Sequence, residues 1–509
     1  MLGRLHAVGG ADSRVSVEFG VVEDDDQVAL ALVESLIAGL DQAGIRYCHW
    51  KSNEAIARSL SGDNDLDLLI SRRQAGAFLA VAADLGFRPA LLPDHKRLPG
   101  IFDLYGLDGE SGVMVHIHAH FQLVLGDDMT KNYRLPIEDR YLEDLDTSGP
   151  LPLPRPELEY LVFVLRMVLK HCTWDAQLSR KGRLTPSERR ELAYLENRID
   201  PEEVERHRKE LLTSVDPELF RACRNALERK SGAVTRAKPA RALIRALDGF
   251  ERRPATRDTV LRLLRRFTGR VRLNLTGPVR RRLITGGAVI AVVGGDGSGK
   301  TSAVDDLAVF LKRHFVTRRF HLGKPHRSWS TRLFLKVFRR LAPGRLAAGG
   351  IPVWEAEQMD RFPGYVSLVR HLLTARDRYR ESVSARRHAA RGAAVVCDRY
   401  PLVGLTTMDG PRIDRATGVA KRPIASWLGR FERLYYQRIA SPDLVIVMRV
   451  DPAVAVDRRP DQDPEFVRRR AEEIYRWDWS GTEAAHVVDS DRPHEEVLGQ
   501  VRALVWAAL

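Results

Sequence analysis

Apolar residues recur with different periods along the chain, and the changes of period divide it. Over residues 1–150, short apolar runs such as "DLDLLI" (65–70) and "VMVHIHAHF" (113–121) read as strands among helical stretches. From Pro154 to about Ala246 the apolar positions fall at helical spacing, most clearly in "PELEYLVFVLRMVLKHC" (156–172). A basic stretch follows in which Pro239, Pro254, Gly269 and Pro278 predict the interruption of any long helix. Beyond residue 284, buried-strand runs at Val289–Val293, Ala393–Cys397 and Leu444–Val450 alternate with long helical segments. That alternation is the sequence form of an α/β doubly wound parallel sheet. The expected organisation is an α+β domain over 1–150, a helical region with a basic linker over 151–284, and an α/β domain over 285–509.

The glycine cluster after the first carboxyl-half strand adds chemistry. Gly294, Gly295, Asp296, Gly297, Ser298, Gly299, Lys300 and Thr301 fit G-x-x-x-x-G-K-[ST], with Ser302 next in line. Such a loop curls backbone N–H groups around phosphate oxygens, sends its lysine to the β/γ-phosphates of ATP and offers its hydroxyl to Mg²⁺. The helix expected over Ala303–His314 points its positive end at the same anion.

Downstream residues bear on what receives the phosphoryl group. The strand in "GAAVVCDRYPLVG" ends in Asp398 and Arg399. A carboxylate there can hold Mg²⁺ through water or accept a proton, and the adjacent arginine can grip an acceptor phosphate. Asp377 and Arg378 lie on the helix leading into that strand, Arg458 and Arg459 follow "PDLVIVMRVDP", and a last strand ends in Asp489 and Ser490. In this order, residues 286–509 resemble the thymidylate kinase family of P-loop nucleoside-monophosphate kinases. The resemblance implies ATP and Mg²⁺, with Asp296 near the acceptor, Asp398 near metal and acceptor, and Arg378 and Arg399 on the acceptor. It also implies lid arginines, supplied here by Arg458, Arg459 and Arg468. The family's S-x-A-Y-Q stretch after D-R-Y is replaced by "PLVGLTTMDGPRID" (401–414), which either reshapes the acceptor site or only punctuates a loop, so dTMP is poorly supported as the acceptor.

In the amino-terminal half, Asp65 and Asp67 lie one residue apart at a strand start, where a period of two puts both on one face. Two such carboxylates suit a pair of divalent ions in nucleotidyl transfer, and the stretch resembles the nucleotidyltransferase superfamily. That superfamily's third carboxylate has no counterpart on "VMVHIHAHF", which carries His116, His118 and His120 instead. Those imidazoles, on one face of an extended segment, are candidate ligands for Zn²⁺, Mn²⁺ or Fe²⁺. Lys51 is a candidate phosphate contact.

Composition and charge narrow the partners. The chain is 44% hydrophobic and 29% charged, ordinary for a globular protein. No signal-like leader or apolar run of ~20 residues stands out, and the four dispersed cysteines make no C-x-x-C, so the expected compartment is the cytoplasm. Between Arg229 and Arg282, 17 basic residues face three acidic ones, a net of +14 that equals the whole chain's charge. This segment is either a solvated, partly flexible linker or a contact for nucleic acid or another anionic partner. Three readings stay open: a P-loop phosphotransferase acting on a phosphorylated or hydroxyl-bearing acceptor, a nucleotide-dependent switch or nucleic-acid-associated module, and a kinase for a sugar or polysaccharide precursor.

Overall fold

The computed structural model describes residues 28–178, 182–228, 232–276, 280–341, 362–402, 410–482 and 484–509. Residues 1–27 and residues 403–409 of the loop after Asp398-Arg399-Tyr400 lie outside these residues. The described chain is mixed α/β. β1 (Tyr47–His49), β2 (Leu66–Ile70), β3 (Arg88–Leu91), β4 (Ile101–Leu107) and β5 (Met114–His120) build an amino-terminal sheet. β6 (Leu123–Leu125) and β7 (Tyr133–Leu135) form a separate antiparallel pair. The first sheet runs β1-β2-β5-β4-β3 and is completed by β8 (Arg282–Leu283), which pairs with β3. Only β2 and β5 run parallel in it, with Asp67 opposite His118.

Helices of the second region start where their sequence stops competing with helix formation. Thr185, Asp200 and Asp216 each accept a backbone N–H from the following turn, and each precedes a proline whose missing N–H costs nothing at that position. Their apolar faces share one core with Cys48, Trp50 and Leu69 of the amino-terminal sheet.

The basic segment departs from its expected form. Pro254 does separate two helices, but the second, Ala255–Thr276 with 22 residues, runs through Gly269, and Pro239 sits inside the first, Ala233–Ala246; Pro278 lies outside the described residues. Packing overrides the breakers: Asp175 and Asp258, both buried, hold Arg262 at 3.3 Å each, and Arg266 bonds Asp127 and Asp175. These cations are therefore committed inside the fold rather than held free on a flexible linker, because unpaired carboxylates at those depths are costly.

The carboxyl half carries five parallel strands: β9 (Val289–Gly294), β10 (Thr317–His321), β11 (Ala394–Asp398), β12 (Leu444–Arg449) and β13 (Ala485–Asp489). Their order, β10-β11-β9-β12-β13, puts the first strand in sequence at the centre. β9, β11 and most of β12 are buried on both faces, which explains their unbroken β-branched runs. The core of this sheet continues into the amino-terminal one through Ala90, Tyr105 and Met114. Phe315 links them, its ring 4.9 Å from Tyr105 and 5.9 Å from Trp506.

Candidate functional sites

The glycine loop leaves the carboxyl end of β9 and enters the helix Lys300–His314, which begins three residues earlier than expected. Gly297 and Gly299 are in the left-handed region, with φ of 82° and 77°. A Cβ on Gly297 would lie 2.7 Å from the Ala455 carbonyl oxygen, and one on Gly295 would lie 3.0 Å from Ala471 Cα. Glycine at 297 and 299 tolerates these torsions, and glycine at 295 and 297 lets the loop nest against its neighbours. Ser298 donates from Oγ to the Gly295 carbonyl at 2.9 Å. Lys300 is buried and folds back to donate to the same carbonyl. Burial lowers its pKa to about 8, opposed by Asp296 and helped by Arg399 and Arg470. Thr301 and Ser302 are exposed at the helix start.

Asp398 ends β11 beside β9, and Arg319 approaches its carboxylate at 3.8 Å. Arg399 takes a left-handed φ of 58°, which costs about 1–2 kcal/mol in a non-glycine residue. Its guanidinium reaches Asp296 at 3.4 Å, and Arg470 reaches the other oxygen of that carboxylate at 2.6 Å. Arg458 donates to the Ser490 carbonyl at 3.2 Å, and Arg459 pairs with Asp461 at 3.4 Å. Arg468 is exposed.

Two cavities flank the central strand. One, of about 300 Å³, lies on the β12/β13 side and is lined by Gly297, Gly299, Met448, Arg458 and Ser490. The other, of about 460 Å³, lies on the β10 side, where Lys324, Arg327, Arg370, Arg378 and Arg412 face Asp377. Arg378 spends donors on the Leu322 and Gly323 carbonyls (2.5 and 2.9 Å) and on Tyr436, while Asp377 accepts from Ser328 N (3.1 Å) and Thr331 Oγ1 (2.6 Å). Both therefore shape the wall after β10. Burial lowers the His371 pKa to about 4, helped by Arg412 and Arg370, so this wall's charge comes from lysine and arginine.

A second cluster occupies the amino-terminal sheet. The two carboxylates do share one face, and adjacent β5 histidines meet them: His116 Nδ1 with Asp65 at 2.6 Å, and His118 Nδ1 with Asp67 at 3.1 Å. His116 also donates from Nε2 to Asp103 of β4 at 2.9 Å, and Arg281 bonds Asp103 at 2.9 Å. Burial works against a charged His116, but its bonds to Asp103 and Asp65 outweigh that and raise its pKa. Burial lowers the pKa of His118 and, further, that of His120, leaving both neutral. Burial also opposes ionisation of Asp67, yet the Lys51 ammonium at 2.8 Å and its other neighbours hold the carboxyl well below its usual range. Ser52 and Lys131, at φ of 59° and 40°, are left-handed in the same neighbourhood.

The sequence is 30% identical over 236 residues, 43% of this chain and 86% of the relative, to the protein named "Uncharacterized ATP-binding protein YghR" of Escherichia coli strain K12. This chain belongs to the YghR family. The YghR protein of E. coli strain O6:H1 matches equally, and "Uncharacterized ATP-binding protein YghS" of strain K12 is 26% identical over 231 residues, 43% of this chain and 93% of that relative. No family model matches the chain. Among the described residues, no helix is long and apolar enough to cross a membrane.

Two residues of this YghR-family member escaped sequence reasoning. Arg470 was legible in principle: Val467, Ala471 and Ile474 form the buried stripe of the helix Pro464–Arg476, and position 470 flanks that stripe while 468 does not. Asp103 was not, because only the sheet order reveals that β4 lies beside β5.

Proposed function

We propose that this chain is an ATP-dependent phosphotransferase of the nucleoside-monophosphate-kinase type, with a thymidylate kinase-like P-loop domain over 285–509. The helical region over 151–284 joins it to a nucleotidyltransferase-like domain over 1–150. One observation carries the reading: the glycine loop and Asp398 end adjacent parallel strands, and a separate cavity lies on each side of the central strand. Ligands of open parallel sheets bind outside such strand ends. The YghR and YghS names, which say ATP-binding, support nucleotide as one of the two ligands.

In this reading the β12/β13-side cavity takes the nucleoside end of ATP, and the loop N–H groups cradle its phosphates. Lys300 leaves the Gly295 carbonyl for the β/γ-phosphate oxygens, so it is stored in the site without phosphate. The basic cavity takes an anionic acceptor, whose charge Lys324, Arg327 and Arg412 offset. An acceptor oxygen forms a bond to the γ-phosphorus, the bond from that phosphorus to the bridging oxygen breaks, and ADP leaves. Asp398 accepts the proton where the acceptor is a hydroxyl, while Arg399 and Arg470, released from Asp296, and Arg458 and Arg459 stabilise the charge on the transferring group. The glycine cradle, the exposed Thr301 hydroxyl and Asp398 fit Mg²⁺, which when bound would neutralise phosphate charge.

The test is ATP consumption by the full chain with Mg²⁺ and a panel of nucleoside monophosphates, nucleosides and phosphosugars, with products resolved by mass. A phosphorylated acceptor that disappears in Lys300→Ala and Asp398→Asn supports the proposal. Normal ATP binding without turnover on any acceptor overturns it and favours a nucleotide-dependent switch.

A further inference from the structure

Asp67, His118 and His120 form the one group among the described residues whose donor atoms converge closely enough to share a metal ion. Asp67 Oδ1 lies 3.1 Å from His118 Nδ1 and 3.9 Å from His120 Nε2, and the two ring nitrogens lie 3.2 Å apart. Three ligands of a tetrahedral ion at the usual bond lengths of 2.0–2.2 Å are roughly 3.3–3.6 Å from one another. The triangle is thus near ligating size with no metal present. It is also held from behind: His120 is fully buried against the Trp50 ring at 4.9 Å, and all three residues sit on paired strands, β2 and β5.

Asp65 is drawn into a different set. His116, Asp103 and Arg281 form a chain of contacts at 2.6, 2.9 and 2.9 Å that begins at Asp65 and satisfies its neighbours. In this structure Asp65 thus pairs with His116, and Asp67 with His118.

We propose that Asp67, His118 and His120 bind a single divalent transition-metal ion of the zinc class, separate from the Mg²⁺ expected at the glycine loop. Two imidazoles and one carboxylate suit zinc, manganese or ferrous iron far better than Mg²⁺, which prefers an all-oxygen shell. Three protein ligands leave a coordination position open, as in catalytic rather than structural sites. The Lys51 ammonium, 2.8 Å from Asp67 Oδ1, occupies the position of a competing cation. Binding of the ion displaces Lys51 from that oxygen. Lys131 and Arg166 also act on Asp67 or on the histidines, so the surroundings favour an anion on the open position.

The test is titration of the chelator-treated full chain with Zn²⁺, and separately with Co²⁺ as a visible-absorbing probe, in excess Mg²⁺ to saturate the glycine loop. One ion per chain is expected, with Co²⁺ giving the intense absorption of a low-coordinate site. His118→Ala/His120→Ala should weaken binding more than about 100-fold, beyond what loss of an outer-shell partner does, and His116→Ala should retain stoichiometry. Lys51→Met should tighten binding, an outcome that misfolding cannot imitate. Equal binding in all four proteins, no saturable ion in the wild type, or weaker binding in a folded Lys51→Met protein overturns the proposal. None of these readouts depends on phosphoryl transfer, so failure of the kinase reading leaves this one standing.

Discussion

At the scale of single residues, Lys300 and Arg399 each carry a cost: burial lowers the pKa of the first, and the second holds a left-handed backbone. Lys300 must carry a proton to bind phosphate, yet burial brings its pKa to about 8 in the free protein. Below pH 8 it is charged and ATP affinity should be flat; as pH rises through 8, binding has to take up a proton. Affinity should then fall by up to about tenfold per pH unit, measured by calorimetric titration. Lys300→Ala should bind weakly with no such slope above pH 8. Arg399 presents a complementary case, since its left-handed backbone is tolerated more easily by glycine. We expect Arg399→Gly to be more stable than Arg399→Ala by about 1 kcal/mol in chemical denaturation, reversing their usual order, while both lose phosphoryl transfer. Similar values for the two variants would show that the backbone there relaxes when the guanidinium is removed.

At the scale of elements, the helix Pro464–Arg476 acts as the loop's outer wall. Its buried stripe brings Ala471 against Gly295, and Arg470 follows from that register. Arg470→Ala should lower kcat/KM by ~1,000-fold or more, the low side of what phosphate-facing arginines contribute, with little change in melting temperature. Arg468→Ala, on the exposed side, should stay within about twofold. Equal losses would mean that the helix turns on nucleotide binding. The same logic explains the basic helix Ala255–Thr276, whose inward arginines answer Asp127, Asp175 and Asp258. Residue counting along the segment registers the charge but not its partners.

At the scale of the whole molecule, the two sheets share one core cluster, although each also packs a core of its own. Phe315 is fully buried between Tyr105 of the amino-terminal sheet and Trp506 of the last helix. Trp506 Nε1 donates to the Gly86 carbonyl at 3.3 Å, and Arg281 ties Asp103 to the entry of the carboxyl half. Calorimetry should therefore show one unfolding transition. Phe315→Ala should lower its stability by about 3–5 kcal/mol and split or broaden the transition. Two well-separated transitions in the wild type would show that this shared core contributes little to cooperativity.

The sequence by itself determined the features that depend on neighbours in the chain. The strand runs at 289–293, 393–397 and 444–450, the glycine loop and the shared face of Asp65 and Asp67 all follow from local periodicity and from the backbone freedom of glycine. Tertiary structure alone decided what those residues meet. Asp67 finds His118, 51 positions away, because β2 and β5 pair in parallel, and Asp65 is diverted to His116 and Asp103 because β4 lies next in the sheet. Gly269 and Pro239 of the basic segment lie inside helices for the same reason. A local penalty of about 1 kcal/mol for glycine inside a helix is small beside the cost of leaving a buried carboxylate without its arginine, and which arginine meets it is set by residues distant in sequence.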